Sequence, residues 1–354
     1  SKFQFFLQGG FDGLNIFNKD MYELSTNSCR REMDDSAAQG GINGPTVAAY
    51  RKALDIMGTK SEVSIQLLAI PGINHSSVTD YAIDTAENRF DALYIMDIEE
   101  RDALNEIITG SIGTGNAHIQ NTVQAFKSRN LNTSFAATYF PNVKIETMAL
   151  EADDGTSTES LVSVNADVPS SVSVLGAFAT NDSVAHPWFA AAGFTRGALD
   201  EAVAPTTFLN QANADLLYDA DINPLLQFPG QSLMVFGQKT LLKADSALDR
   251  VNVRRLLLFV RREVRQIAKQ MLFEPNRAST LARFTSLVNP ILQMVQDGQG
   301  VERFKVIIDS STTTQADIEN NTVRGKIFLQ PTRSVEFVSL DFVLTNAGDT
   351  FDSA

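Results

Sequence analysis

The sequence predicts an α/β fold, with a helix-covered and mainly parallel sheet, followed by an α+β domain. Short apolar strands alternate with helices through the first part of the chain, which is the pattern of a parallel sheet covered by helices. The last third differs, because two long helices precede a series of strand-like segments, as in α+β domains. We therefore predict two domains, residues 1–242 and 243–354, with residues 142–170 as a surface insertion in the first.

The bulk composition excludes several classes of protein. The chain has 354 residues, a formal net charge of −13 and 44% hydrophobic residues, values typical of a globular protein. The acidic balance argues against a nucleic-acid partner, whose phosphates need a basic surface. No apolar run reaches the roughly 20 residues that cross a bilayer, so no membrane partner is predicted. Cys29 is the single cysteine, which excludes an internal disulfide and a cysteine-based zinc site.

The alternating segments lie in the first 140 residues. Apolar runs predict strands at residues 3–7, 63–70, 92–96 and 133–140. Helical spacing of apolar residues predicts helices at residues 46–57, 77–88 and 119–128. A glycine-rich turn at residues 9–13 ends the first strand, and a polar, irregular loop is expected from there to about residue 45.

The alternation breaks down in the middle of the chain. A polar turn at residues 153–158 predicts a surface loop between two short strands. Further along we predict a helix at residues 172–180 that is entered from Ser170 and Ser171. A helical segment at residues 208–213 and a short strand at residues 233–236 follow.

A long amphipathic helix is predicted at residues 249–276, near the start of the last third of the chain. Its apolar side chains recur with helical spacing and predict one buried face: Val253, Leu256, Leu257, Val260, Val264, Ile267 and Met271. Its basic side chains occupy the opposite side: Arg250, Arg254, Arg255, Arg261, Arg262, Arg265 and Lys269. Pro275 is expected to stop the helix, because proline cannot donate to the hydrogen-bond ladder. A cationic stripe on an acidic protein predicts an acidic partner, and a merely solvated face is the alternative.

The last third continues with a helix at residues 278–295. Strands are predicted at residues 301–309, 322–329 and 335–344, with a short polar helix at residues 315–321. The last of these strands is apolar on both faces, so it should lie inside a sheet rather than at a bare edge.

Candidate catalytic residues are scattered. His75, His118 and His186 have no partner at metal-ligand spacing, and residues 110–115 are glycine-rich without the P-loop lysine or the G-x-G-x-x-G spacing. Asp97 follows a predicted parallel strand, where open α/β sheets bind ligands, and a helix cap or turn is its alternative role. We therefore predict no enzyme, no cofactor and no metal. A hydrolase or nucleotide-binding enzyme with its site near Asp97 stays open, as does an adhesin-like module with an exposed aromatic cleft.

Short motifs spread over nearly the whole chain resemble those of contractile phage tail sheath proteins. In the first domain they are GGFDG at 9–13, IPG at 70–72, YIMD at 94–97, ATYFP at 137–141 and PWFAAAG at 187–193. In the second domain they are NVRRL at 252–256, FEPN at 273–276 and GDTFD at 348–352. The order and spacing of these motifs carry the resemblance more than any single one.

The resemblance implies a subtilisin-like α/β fold for the first domain and a sheath C-terminal domain for the second. It does not imply proteolysis, because the serine, histidine and aspartate motifs of subtilases are absent and residues 155–157 match the serine motif by chance. It implies a structural subunit of the virion, made in the host cytoplasm, that polymerises around the tail tube and contracts to drive the tube through the host envelope. The implied partners are further copies in stacked six-membered rings, joined by terminal strand arms, and the tail tube protein, baseplate and tail terminator.

The cationic helix face is expected to contact the acidic tube or an acidic face of a neighbouring subunit. The side chains expected to make this contact are Arg254, Arg255, Arg261, Arg262, Arg265 and Lys269. Such ion pairs guide the register of the partners and weaken as salt is added.

The start of the chain leads to a testable expectation about assembly. Ser1-Lys2-Phe3 opens directly in a predicted strand and without an initiator methionine, so we expect the N-terminal arm to be missing. Without an arm to join neighbours, the 354-residue chain should be monomeric in solution. Sedimentation velocity measures this, and stable rings or tubes of this chain would contradict the expectation.

Overall fold

The computed structural model describes residues 23–60, 62–108, 116–151, 160–275, 277–308, 312, 322–334 and 336. Six predicted segments lie outside these ranges: residues 3–7, 9–13, 110–115, 153–158, 315–321 and, apart from residue 336, 335–344.

The described helices and strands follow the predicted alternation. The helices are α1 (Thr26–Asp34), α2 (Ser36–Gln39), α3 (Pro45–Gly58), α4 (Ser76–Arg89), α5 (Ile119–Ser128), α6 (Ser170–Val184), α7 (Gly193–Arg196), α8 (Gln211–Tyr218), α9 (Val251–Gln270) and α10 (Ala278–Asp297). The strands are β1 (Leu67–Ala69), β2 (Leu93–Met96), β3 (Ala136–Phe140), β4 (Val143–Glu151), β5 (Ser160–Val168), β6 (Ala202–Pro205), β7 (Ile222–Gln227), β8 (Leu233–Val235), β9 (Val301–Ile307) and β10 (Lys326–Pro331). The helices predicted as α3, α4, α5, α6 and α10 are confirmed, as are the strands β1, β2, β3, β8, β9 and β10, although β1 is much shorter than expected.

Among the described residues, five strands form the central sheet in the order β1-β2-β3-β7-β8. The first four are parallel, with Tyr94 opposite Ala136 and Thr138 opposite Ile222. The edge strand β8 runs antiparallel to β7. Every residue of β2 and β3 is buried, as expected of parallel strands in the interior of an α/β domain. The prediction of a mainly parallel sheet is confirmed.

The predicted surface insertion contains a long antiparallel hairpin. β4 and β5 have nine residues each and pair along their whole length, while β6 pairs with the other side of β4. The prediction of two strands is therefore confirmed, but the expectation that they are short is wrong. Met148 and Val164 are exposed on the hairpin, so this part of it lies outside the core.

Residues 26–43 correct the prediction of an irregular loop before residue 45. They form α1, α2 and a 3-10 turn. Glu32 is buried, and its carboxylate accepts 2.9 Å hydrogen bonds from the N–H groups of Thr46 and Val47 at the start of α3. A polar side chain in this segment therefore serves as a cap for the next helix, a role that a composition pattern does not distinguish from a loop.

Two elements between the hairpin and the last third differ from the prediction. The helix expected at residues 208–213 begins at Gln211, because Asn210 caps it by accepting a 2.8 Å hydrogen bond from the N–H of Asn213. The sequence pattern does not predict β6 or β7. In β7 the reason is Pro224, which lacks the N–H that a sheet interior normally requires.

Asp97 links the end of β2 to the start of α6. Its carboxylate accepts hydrogen bonds from the N–H of Ser171 at 3.0 Å, from Ser171 Oγ at 2.7 Å and from the N–H of Gly72 at 3.0 Å. Burial raises the pKa of Asp97, and the hydrogen bonds from Ser171 and Gly72 oppose that rise. Asp97, which follows β2, therefore caps α6. This is the alternative role that the sequence predicts for it.

Glu100 is buried close to Asp97. Its side chain is shielded from water, and this desolvation raises the pKa of its carboxyl to about 7. The N–H of Asn142 lowers the pKa by donating to the carboxylate, whereas the charges of Asp97 and Asp167 raise it further. The folded protein therefore disfavours the charged form of Glu100 near neutral pH.

Two long helices and a two-stranded sheet form the part of the chain that is predicted as the second domain. β9 and β10 pair antiparallel, and α10 packs on both α9 and β9. The core that they share contains Leu256, Val260, Ile267, Val288, Leu292, Val295 and Val301. The predicted order of helices before strands is confirmed.

Trp188 connects the two domains. It precedes residue 243, yet its side chain is 4% exposed and belongs to the core of the second domain. Its Nε1 donates a 2.7 Å hydrogen bond to the carbonyl oxygen of Gly298. The ring meets Phe259 edge-on, with 5.3 Å between centroids, and His186 stacks on it at 4.4 Å. The first domain thus inserts an aromatic anchor into the second.

Trp188→Ala should lower the free energy of unfolding by about 3–5 kcal/mol, because it removes a buried ring and leaves a cavity. Trp188→Phe should cost about 1–3 kcal/mol, mainly by leaving the Gly298 carbonyl without its donor. Urea unfolding measures both. Replacement of the exposed Phe273 by alanine is the control and should change stability by less than about 0.5 kcal/mol. Wild-type stability of Trp188→Ala would contradict the anchor.

Glu100→Gln should stabilise the protein at about pH 8 and have little effect at about pH 4. At the lower pH the carboxyl is protonated in both the folded and the unfolded state. As the pH rises from the ordinary pKa of 4.5 to about 7, the unfolded state loses its proton first, so the wild type loses stability. The gain at the higher pH should be roughly 2–4 kcal/mol.

Urea unfolding at both pH values tests this expectation. Glu106→Gln, at an exposed position close to Glu100 in sequence, is the matched control and should show no such pH dependence. An equal gain for Glu100→Gln at both pH values would show that desolvation of the charge is not the cause.

Candidate functional site

α9 carries the basic side chains that the sequence assigns to a contact surface. It spans Val251–Gln270, which is shorter than the predicted 249–276. The prediction that Pro275 stops the helix is wrong, since the chain has already left it and Phe273 adopts a left-handed conformation with φ of 68°. A proline restricts mainly the residue directly before it, here Glu274, so Pro275 does not account for a helix end at Gln270.

Arg254 is buried against the first domain. Its Nε donates a 3.1 Å hydrogen bond to the carbonyl oxygen of Ser134, and a guanidinium N–H donates to Ser134 Oγ. Its Cζ lies 3.9 Å from the centroid of the Phe135 ring. Burial, followed by repulsion from Arg261, lowers the pKa of Arg254 to about 10, while Glu87 opposes the shift.

Arg255 is also buried, on the same domain. Its guanidinium pairs with the carboxylate of Asp182 and lies over the ring of Phe178, with 4.7 Å from Cζ to the ring centroid. A planar guanidinium can stack on an aromatic face while its N–H groups pair at the edge. The expectation of an outward cationic face is therefore wrong for Arg254 and Arg255, because both side chains bind α9 to the first domain.

The other four side chains of the predicted contact surface lie at or near the surface. Arg261 and Lys269 are exposed, and Arg262 is half-buried. The side chain of Arg265 is 36% exposed, and its Nη1 lies 3.8 Å from a carboxylate oxygen of Asp91. Burial and the nearby Arg265 lower the pKa of Arg261, and Asp91 opposes this. The structure thus divides the six predicted residues into an inner pair and an outer four.

The three histidines stay apart and take local roles. His75 and His118 cap α4 and α5 through Nδ1, which accepts from a backbone N–H in the first turn of the helix. Burial lowers the pKa of His75. His186 stacks on Trp188 at the domain junction. In the described part of the chain, no group of three His, Cys, Asp or Glu side chains is arranged to hold a metal ion.

A polar cavity of about 450 Å³ lies beside the segments that follow β1 and β2, the region expected for an enzyme site. His75, Glu99, Arg101 and Arg129 are among its lining residues, and Asp97 is not. Both of these arginines already have carboxylate partners, since Arg101 lies 3.3 Å from Glu99 and Arg129 pairs with Asp80.

None of the helices that the structure describes is long and apolar enough to cross a bilayer.

An exposed aromatic cluster corresponds to the third alternative, a binding module. Phe194, Phe228 and Phe236 contact one another near β8, with ring centroids 5.2–6.3 Å apart. Phe194 is 62% exposed. The three rings form a surface cluster rather than the predicted cleft, because they pack on each other.

Sequence reasoning missed the partners of α9 in the first domain. Ser134, Phe135, Phe178 and Asp182 are 73 to 120 residues from the arginines that they contact. No local pattern marks them, because a helical wheel shows which face is polar but not whether that face meets water or another domain.

Comparison with known families covers most of the chain. Residues 43–241 match the family model of the phage tail sheath protein central domain, and residues 243–345 match that of the phage tail sheath C-terminal domain. The tail sheath protein of Vibrio phage KVP40 is 35% identical over 184 residues, which are 52% of this chain and 27% of that protein. The tail sheath protein of Enterobacteria phage T4 is 32% identical over 189 residues, 53% of this chain and 29% of that protein. Each match thus covers under a third of the relative's length.

Solved structures share the fold at lower identity. A chain of the anti-feeding prophage baseplate, determined by cryo-EM, has a TM-score of 0.63 at 17% identity, with 94% of this chain and 84% of that chain covered. The sheath complex of the PVC extracellular contractile injection system in the contracted state has a TM-score of 0.62 at 21% identity, covering 82% and 75%. The family assignment itself rests on the two consecutive family matches and confirms the resemblance seen in the motifs. This chain belongs to the phage tail sheath protein family.

Proposed function

We propose that this chain is a structural subunit of a contractile tail sheath, which polymerises around a tail tube and contracts to drive the tube through the host envelope. The matches across residues 43–241 and 243–345 carry this proposal, because both domains of a sheath protein follow each other in order. In this role the chain is a virion component, made in the host cytoplasm, that works by surface pairing and not as an enzyme.

The proposed partners follow from that role. They are further copies of the chain in stacked six-membered rings, the tail tube protein, the baseplate and the tail terminator, with no nucleic acid and no membrane. A sheath of this kind is a lattice of interfaces with two discrete packings. Contraction is spontaneous when the contracted packing has the lower free energy, so the driving force is stored in the interfaces.

The sheet formed by β9 and β10 fits the role of acceptor for a neighbour's terminal arm. It has two strands of seven and six residues, and a two-stranded sheet alone is only marginally stable in water. Within the described ranges no third strand pairs with either outer edge. An open strand edge presents backbone N–H and C=O groups that an added strand can pair with.

The residues that we propose for contact with the tube or with a neighbour are now only the outer four side chains of α9. These are Arg261, Arg262, Arg265 and Lys269, since Arg254 and Arg255 are buried. Exposed ion pairs of this kind weaken as the ionic strength rises. We therefore expect the outer four to guide register and to make assembly sensitive to salt.

An enzyme with its site near Asp97 is the competing proposal, and the geometry favours the sheath. Asp97 is 5% exposed and its carboxylate already accepts from Ser171 and Gly72. A general acid or base has to reach the proton that it transfers. Asp97 would have to give up bonds that hold α6 to the sheet before it could do so.

Electron microscopy of the purified full-length protein, alone and with its tail tube, tests the sheath proposal. Striated tubes or stacked rings are the expected products. Protein that stays unassembled under all ionic conditions, with or without the tube, would contradict it.

Reversing two outer charges together, Arg262→Glu and Lys269→Glu, should lower the salt concentration at which sheath detaches from tubes. These two residues are seven apart on α9 and so lie on one stripe of the helix. Co-sedimentation with tubes over a salt series measures the effect. Lys52→Glu, an exposed charge reversal on α3, is the control and should leave the salt profile unchanged.

Arg254 is unsuitable for this test, because a buried glutamate facing Ser134 would disturb folding as well as docking. Circular dichroism of the double variant should match that of the wild type. A wild-type salt profile for the double variant would contradict a role for these two charges in tube contact.

A further inference from the structure

A cationic patch lies where α9 meets the first domain. Lys60, Phe90, Arg261 and Arg265 form it and are named here the junction patch. Lys60 and Phe90 come from the first domain, and both arginines come from α9. Lys60 and Arg261 are exposed, and Phe90 is 44% exposed. The patch is therefore complete only when the two domains are packed together.

Among the described residues, an aromatic ring and not a hydrogen bond holds the guanidinium of Arg261 in place. Its Cζ lies 4.6 Å from the centroid of the Phe90 ring, and Phe90 is itself fixed edge-on against Phe135 at 4.9 Å. In the described part of the chain Arg261 makes no hydrogen bond or ion pair. A stacked guanidinium keeps its N–H groups for an outside ligand, in the fork arrangement that fits a carboxylate.

Among the described residues, Asp91 is the carboxylate whose charge acts on both Lys60 and Arg261, and the fold already engages it. Asp91 Oδ1 lies 2.9 Å from Nε of Arg89, whose side chain is 1% exposed. The other N–H groups of Arg89 donate to the carbonyl oxygens of Met57 and Val63. Asp91 is thus the partner of a buried structural arginine, and Arg265 reaches it only at 3.8 Å.

The remaining charges of the junction patch repel one another. Burial and the charge of Arg265 lower the pKa of Lys60, with Asp91 opposing and Arg261 adding to the shift. The patch therefore presents positive charge that its own surroundings do not neutralise. Phe90 adds exposed apolar area to the patch. A cationic rim around apolar area is typical of a protein-binding surface.

We propose that the junction patch docks a carboxylate-bearing surface of a second copy of this chain. The inference rests on the proposed function, because a polymer of copies brings such surfaces together. A net charge of −13 means that every copy offers an excess of carboxylates. The same charge disfavours a nucleic-acid backbone, which needs a broadly basic protein surface.

Carbodiimide cross-linking of polymers tests this docking, because the reagent joins a lysine amine to a carboxylate in direct contact. Full-length protein is assembled from an equal mixture of ordinary and nitrogen-15-labelled copies, then cross-linked, digested and analysed by mass spectrometry. Lys60 should be linked to an Asp or Glu in mixed-isotope peptide pairs, which arise only between copies. Lys52, also exposed and close in sequence, is the internal comparison and should show few such pairs.

A pair of variants measures how much the contact of Arg261 contributes to the free energy of polymer formation. Arg261→Gln should raise the critical concentration for polymer formation about tenfold, the effect of losing one charge-assisted contact. Arg283→Gln removes the same charge from a side chain that is 60% exposed on α10 and should leave the critical concentration unchanged. Thermal unfolding of the unassembled variants separates assembly from folding.

The outcomes distinguish this docking from the sheath proposal itself. Polymers in which Lys60 is unlinked, linked only within its own copy, or linked only to a tube protein would overturn the docking and leave the sheath proposal standing. Equal critical concentrations for Arg261→Gln and Arg283→Gln would do the same. Wild-type protein that forms no polymer would overturn both.

Discussion

The packing of α9 against the first domain is the constraint on which the rest of the structure depends. Arg254 and Arg255 bring two positive charges into the interior, where an unpaired charge would cost several kcal/mol. Each guanidinium avoids this cost in the same way, by stacking on an aromatic ring and pairing with an acceptor supplied by Ser134 or Asp182. Because the two arginines are consecutive and reach different partners, their contacts together constrain how this helix lies against the first domain.

The same helix contributes to two hydrophobic cores. Val251 and Leu258 belong to the core of the first domain, whereas Leu256 and Val260 belong to that of the second. Trp188, which precedes residue 243 in sequence, also belongs to the second core. The packing therefore crosses the boundary that is predicted at residue 243. The part of the chain on either side would lose buried apolar surface if the other part were removed.

The sequence predicts elements whose signals are local and misses contacts that are not. α5 is predicted with its observed ends, because the apolar spacing that predicts it lies within a few residues. The prediction of an irregular loop before residue 45 is wrong. There the polar Glu32 caps a helix that begins at residue 45, and a local pattern does not show this contact. The prediction that Arg254 lies on an outward face is wrong for a similar reason, since the residue that accepts its hydrogen bond is 120 residues away in sequence. An amphipathic pattern identifies a polar face and is silent about what covers it.

In the proposed sheath, where the interfaces of the subunit rearrange, the division of α9 into inner and outer arginines has a mechanical consequence. Contacts through Arg261 or Arg265 are expected to contribute only about 1–1.5 kcal/mol each, so they are exchanged at little cost. Removing one partner of a buried ion pair such as Arg255–Asp182 costs about 3–5 kcal/mol, and each hydrogen bond from the buried Arg254 to Ser134 contributes about 1.5–3 kcal/mol, so these contacts persist while the outer ones change. A lattice with two packings needs this difference, because the force generated at its interfaces is transmitted only through subunits that do not yield. The cationic stripe of one helix thus combines a fixed set of charges, which keeps the subunit intact, with an exchangeable set at its surface.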